Sequence, residues 1–225
     1  MADVSKREEF GNALLHWFKK NRRGFPWRET TNPYYILVSE VLLHRTKANQ
    51  VLPVYSEFIK RFPTVERLSN ARFDEVKKVI YSLGLNWRTR KLHAMAKEIM
   101  LKNDGEIPST REQLESLPGV SDYIASAVRC FAFDYPEVLL DTNTVRILGR
   151  VFGVKVTDGS RRSARFSELY ESIIDDRHAR EFNCAMIDLG ALVCVPRDPL
   201  CKLCPIVEMC VYGKSGRVEK WSEKS

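Results

Sequence analysis

Leu114-Glu115-Ser116-Leu117-Pro118-Gly119-Val120-Ser121-Asp122-Tyr123-Ile124-Ala125 reads as a helix, a tight turn and a second helix. Pro118 fixes one backbone angle and Gly119 opens conformations closed to other residues, so together they permit a sharp bend. The first backbone N–H groups of a helix have no partner within it, which makes the start of the second helix, at Val120 and Ser121, an anion site. A phosphate held there would fix the register of a nucleic acid without reading a base. Pro-Gly is also a common plain connector, and the Leu117-Pro118-Gly119-Val120 turn alone leaves that reading open.

On either side of this stretch the apolar positions recur at helical spacing, as in Phe10, Leu14, Leu15, Trp17 and Phe18, or Val51, Val54, Tyr55 and Phe58. Turn signals such as Asn32-Pro33, Phe62-Pro63, Asp104-Gly105 and Asp158-Gly159 separate them. About ten short helices and no alternating strand are expected, hence a small all-α architecture. The 225 residues, 44% of them hydrophobic, suffice for one or two small domains, and no linker or repeat divides them. A net charge of +7, from 36 Lys and Arg against 29 Asp and Glu, favours a polyanionic partner. No apolar leader core follows Met1, and no apolar run approaches the roughly 18 residues of a membrane span. A soluble intracellular protein, cytoplasmic or nucleoid, is the expectation, with its six cysteines reduced and clustered for metal rather than for disulfides.

Cys194, Cys201, Cys204 and Cys210 stand as C-x6-C-x2-C-x5-C. Four thiolates at this density select zinc or an iron-sulfur cluster, and the spacing leaves both open. Cys130 and Cys184 lie in apolar helical surroundings and read as core residues. The proline-stiffened loop between the first two ligands would hold Arg197 outward, to meet phosphate or merely solvent.

Two carboxyls have contrasting surroundings. In Val138-Leu139-Leu140-Asp141-Thr142-Asn143-Thr144-Val145-Arg146 an apolar run ends at Asp141 and a helix begins, so Asp141 is an N-cap. A capping carboxylate keeps its negative charge, as stabilising a cationic sugar or orienting a water requires. Glu40 sits in Ile36-Leu37-Val38-Ser39-Glu40-Val41-Leu42-Leu43, where desolvation favours the protonated form and a proton donor. An ion-paired helix residue is the alternative for Glu40.

Together with Phe25-Pro26-Trp27-Arg28 and Met186-Ile187-Asp188-Leu189-Gly190, these motifs closely resemble, in order and spacing, the helix-hairpin-helix DNA glycosylases of the endonuclease III and MutY superfamily. Within it the chain looks most like the branch of adenine glycosylases and G·T or G·U mismatch thymine/uracil glycosylases. The resemblance implies a six-helix barrel over 25–135 and a second helical domain, from 1–24 and 136–225, carrying a [4Fe-4S] cluster on the four cysteines. Double-stranded DNA with a mismatched base would lie across the cleft between them, bound by a monomer, with the target nucleotide flipped out. Asp141 would stabilise the oxocarbenium-like sugar and help water attack, while Glu40 would hydrogen-bond or protonate the departing base. Bifunctional relatives carry lysine where Tyr123 stands; without that amine no Schiff base forms, so base release without strand cleavage is expected. Many relatives have glycine where Ser121 stands; if that position needs positive φ, serine adds strain and weakens phosphate binding. Leu85 is the implied wedge in the base stack, with core packing as its plain alternative, and Arg45 the group reading the estranged guanine or only a phosphate; His44, taken by itself, reads as a solvated helix residue. Adenine glycosylases of this kind usually have paired tyrosines at Leu85 and Asn86 and a further C-terminal domain, whereas this chain ends fifteen residues after Cys210, which favours thymine or uracil over adenine. A DNA-binding module without chemistry and a zinc-stabilised protein are the remaining alternatives.

Overall fold

A computed structural model describes residues 4–84 and 87–215, and among them every regular element is a helix. In chain order these are α1 (Val4–Asn21), α2 (Pro33–Leu43), α3 (Ala48–Arg61), α4 (Val65–Ser69), α5 (Phe73–Ile80), α6 (Trp87–Asn103), α7 (Arg111–Ser116), α8 (Asp122–Phe133), α9 (Thr142–Phe152), α10 (Ala164–Glu171), α11 (Ala179–Leu192) and α12 (Val211–Ser215), joined by short 3-10 turns. Among the described residues no helix is long and apolar enough to cross a membrane. Two compact units result, Gly24–Glu137 and the paired terminal stretches Met1–Arg23 and Val138–Ser225.

The central unit is organised around α2. Pro33 pre-sets its first turn, and the Asn32 side chain caps it by accepting from the backbone N–H groups of Tyr34 and Tyr35. Ile36 to Leu42 are all buried, so this helix is enclosed on every side. It packs against α3, α6 and α8, while α4 and α5 cover α6, and α7 lies on α8. Phe58, Leu68, Ile80, Leu92 and Val128 complete the same core.

In the terminal unit α1 and α9 both pack on α11. Phe182 of α11 meets the rings of Phe10 and Tyr170 at 6.1 and 5.9 Å. The fully buried Asp188 explains why the N-terminal stretch belongs with the C-terminal half: its carboxylate accepts from the Arg23 backbone N–H at 2.9 Å and from Arg23 Nε at 2.6 Å. A buried carboxylate without such partners would carry a heavy desolvation penalty.

In the central unit Glu137 carries the same logic. It is 9% exposed and accepts from the guanidinium groups of both Arg129 and Arg111. Arg129 also donates to the Ser109 carbonyl at 2.7 Å and lies over the Tyr135 ring at 4.0 Å, while Arg111 reaches Asp122 at the head of α8. Glu137→Gln removes the charge that both arginines share and should destabilise the protein by about 2 kcal/mol; a thermal unfolding midpoint equal to that of the unaltered protein would contradict this.

Candidate active site and cysteine centre

Asp141 is the N-cap of α9. One carboxylate oxygen accepts from the backbone N–H groups of Asn143 (2.8 Å) and Thr144 (2.7 Å), and the other from Asn143 Nδ2 at 3.0 Å. Thr144 returns the cap, its hydroxyl accepting from the Asp141 backbone N–H at 2.8 Å and donating to the buried Leu139 carbonyl at 2.8 Å. Three donors thus fix a half-exposed carboxylate, and the capping role expected from sequence is present.

Arg146, on the next turn of α9, connects this cap to the cysteine loop. Its Nη2 donates to Asn143 Oδ1 (2.9 Å) and to the Gly190 carbonyl (2.8 Å), and its Nε donates to the Cys194 carbonyl (2.9 Å). Burial pulls its guanidinium below the ordinary arginine value; Cys194 and Asp141 oppose that shift and Arg150 adds to it. Arg150, one turn further and buried, donates from Nη1 to Cys194 Sγ (3.2 Å) and the Val195 carbonyl (2.7 Å), and from Nη2 to the Pro196 carbonyl (2.8 Å). Sequence reading assigned no role to Asn143, Arg146, Arg150 or Gly190. Two arginines four residues apart on one helical face were the available signal.

Cys194, Cys201, Cys204 and Cys210 line one cavity with Arg150, Val193, Pro199, Val207 and Tyr212. Burial pushes the Cys204 thiol up to about 12; a backbone N–H from Ile206 lowers it, and Cys194, Cys210 and Cys201 raise it further. The Cys210 thiol is raised chiefly by burial, and its sulfur accepts from the Gly213 N–H at 3.4 Å. Four thiols in an apolar recess beside a buried guanidinium form a donor set for a group that compensates thiolate charge. Among the described residues no three Cys, His, Asp or Glu side chains converge closely enough for a single metal ion. Zinc would draw four sulfurs onto one centre at about 2.3 Å each, whereas a four-iron cluster takes them around its periphery. Four cysteines around one recess are a donor set that fits such a cluster. Arg197 is exposed on the loop between the first two cysteines, and Cys130 and Cys184 are buried elsewhere.

In the central unit the hairpin is α7, a turn at Leu117–Ser121, and α8. The Val120 N–H closes the turn onto the Leu117 carbonyl at 3.1 Å, so it is not among the donors left for an anion. Gly119, at φ 92, is the residue that requires glycine, since a Cβ there would stand 2.8 Å from Lys91 Cβ. Ser121 corrects the strain anticipated from its sequence: it has φ −98, caps α8, and its hydroxyl accepts from the Ile124 N–H at 3.3 Å. Pro118 and Tyr123 are half-buried on the same hairpin, and Glu40 is buried on α2. His44 is not a solvated helix residue; it ends α2, half-buried, with its ring edge-on to Trp87 at 5.5 Å. Arg45 is exposed, and Leu85 lies outside the described residues.

Helices joined by a tight Pro-Gly hairpin, together with a capped carboxylate tied to a four-cysteine recess, define a helix-hairpin-helix protein. The chain belongs to the HhH-GPD superfamily of base excision DNA repair proteins, whose sequence pattern matches residues 38–172. It is 40% identical over 217 residues to a thymine-DNA glycosylase of Aeropyrum pernix, covering 93% of this chain and 96% of that protein. A thymine/uracil-DNA glycosylase of Pyrobaculum aerophilum is 37% identical, with coverage of 93% and 94%. The solved structure of a thermostable thymine-DNA glycosylase superposes with a TM-score of 0.86 at 33% identity, over 96% of this chain and all of that one. Adenine DNA glycosylases match at 32–34% identity.

Gly190 is where α11 meets α9: a Cβ added there would stand 2.5 Å from Asn143 Cβ, 3.1 Å from its Cγ and 3.3 Å from its Cα. Gly190→Ala must push Asn143 aside and should destabilise the protein by about 1–3 kcal/mol. Urea unfolding at an unchanged midpoint would show that the contact yields freely.

Proposed function

We propose that the protein is a monofunctional DNA glycosylase that hydrolyses the N-glycosidic bond of thymine or uracil mispaired with guanine. The observation that carries this reading is the likeness along nearly the whole chain to thymine and thymine/uracil glycosylases, 40% and 37% identical.

The mispaired nucleotide is flipped out of a duplex, at an unstacking cost of a few kcal/mol that is smallest for a mismatch. The hairpin around Pro118, Gly119, Val120 and Ser121 holds a backbone phosphate, Arg197 adds a second contact, Leu85 fills the gap in the stack, and Arg45 addresses the estranged guanine. As the bond from C1′ to the base nitrogen breaks, the base leaves with the electron pair. Glu40 hydrogen-bonds or protonates it, and Asp141 stabilises the positive charge on the sugar. Asp141 then directs a water oxygen onto C1′ and receives its proton. Three N–H donors hold that carboxylate in place before the reaction begins. Tyr123 contacts the sugar; a phenol cannot form a Schiff base, so the product is an intact strand with an abasic site. The protein acts as a monomer in the cytoplasm or nucleoid.

Single-turnover base release from duplexes carrying G·T, G·U, A·8-oxoguanine and A·G, with half of each reaction treated with alkali, tests this. Strand breaks should appear for G·T and G·U only after alkali, and Asp141→Asn should abolish release while mismatch binding persists. Release of adenine would transfer the protein to the adenine glycosylases, breaks without alkali would refute the role given to Tyr123, and binding without release would leave a pure DNA-binding protein.

Cys194, Cys201, Cys204 and Cys210 would hold a [4Fe-4S] cluster, which when bound cross-links the loop that follows α11. Arg150 compensates thiolate charge at Cys194, and Arg146 fixes the Cys194 carbonyl. Anaerobically purified protein is expected to be brown with about four irons per chain, and Cys204→Ser should lose most of that iron; colourless protein containing one zinc would overturn the assignment.

A further inference from the structure

Arg88 is the largest fully buried side chain among the described residues. From the first turn of α6 its Nη2 donates to the His44 carbonyl and, at 2.8 Å, to Thr46 Oγ1, while its Nε and Nη1, also buried, have no hydrogen-bond partner among the described residues. A core position that needed only volume would be filled by an apolar side chain, because a buried guanidinium with idle donors is penalised. What the arginine holds is therefore informative. Its two acceptors flank Arg45, which has φ 60, a left-handed conformation that an arginine rarely adopts. The Thr46 N–H closes the same turn onto the Leu43 carbonyl at 2.9 Å, and Trp87 stands against both His44 and Arg88, 5.5 Å from the imidazole and 5.8 Å from the guanidinium carbon. One nitrogen thus grips the residues before and after a strained position, and the side chain at that position is exposed. Strain is retained where its surroundings over-determine it.

We propose that Arg88 is a positioning residue: its buried guanidinium clamps the His44–Thr46 turn and so presents Arg45, in its left-handed conformation, to the O6 and N7 edge of the guanine left unpaired by the excised base. The inference rests on the mismatch-glycosylase reading above. Because one nitrogen makes both bonds, lysine tests reach rather than donor number: its ammonium has donors enough for both acceptors but sits one bond closer to the backbone than the arginine Nη2.

The test has two arms, with Arg88→Met and Arg88→Lys made alongside Arg45→Ala and the double variants. In the first arm, all in an Asp141→Asn background, affinity is measured for a G·T duplex and a matched duplex at one salt concentration. Each Arg88 substitution should weaken G·T binding about tenfold, as loss of a guanine contact does, and matched-duplex binding by less than about twofold. In the Arg45→Ala background the same substitution should change neither. Equal losses in both backgrounds, or equal losses on both duplexes, would reduce Arg88 to a core residue or Arg45 to a phosphate contact. The second arm uses no DNA: limited trypsin digestion followed by mass measurement should show faster cleavage after Arg45 once Arg88 is replaced, in protein that still unfolds cooperatively. Unchanged cleavage sinks the clamp. If Arg88→Met does not fold, Thr46→Val removes one acceptor and is read in the same way. Unaltered protein with no preference for G·T over matched duplex would overturn the functional reading, while the trypsin arm would still decide the clamp.

Discussion

The guanidinium of Arg146 meets the Asn143 amide oxygen and the carbonyls of Gly190 and Cys194, and the chemistry of the terminal unit is arranged around these contacts. An asparagine amide has an oxygen on one side and two donors on the other. With Arg146 occupying the oxygen, the NH2 group must face Asp141, where it donates to the second carboxylate oxygen at 3.0 Å. Turned the other way, two donors would oppose each other on one side and two acceptors on the other. Arg146 therefore determines which face of Asn143 the aspartate sees, and α11 can approach closely enough for this only because position 190 lacks a side chain.

The central unit handles charge differently. Asp122, in the first turn of α8, is favourable to the helix but places a negative charge where a phosphate is proposed to approach. Arg111 pairs with it and also reaches Glu137, whose other partner is Arg129. An isolated exposed pair such as Arg61 with Glu57 contributes little. The network around Glu137 matters because that carboxylate is 9% exposed, and removing either arginine leaves part of its charge unanswered in the interior.

Features fixed by a few neighbouring residues were legible in the sequence. The Asp141 cap, the enclosed run of α2 and the cysteine spacing each depend on contacts within a turn or two, which composition and period report directly. About ten helices were expected and twelve stand among the described residues; elements as brief as Val65–Ser69 and Val211–Ser215 are too short to show a period. What escaped is long in sequence separation. Arg146 to Cys194 spans 48 residues and Arg88 to His44 spans 44, and no local pattern states that such residues meet. His44 was read as a solvated helix residue because a histidine on a helix more often is one; Trp87, on another helix, stands edge-on to it.

The hairpin shows how a departure from a pattern can be read with the wrong sign. Serine where relatives have glycine suggests strain only if that residue needs positive φ, and in this turn the requirement falls on Gly119, which backs onto the Lys91 stem. At Ser121 the backbone is extended, so glycine would gain no conformational access there and would lose the side-chain cap, at a cost of a few tenths of a kcal/mol. The hydroxyl takes the Ile124 N–H, and the Ser121 carbonyl accepts from Ala125 at 2.8 Å, so the first full turn of α8 is tied down at its entry. Any anion at this corner must therefore be held by the N–H groups that precede Ile124, on a helix start made rigid by the serine that sequence comparison alone had cast as a defect.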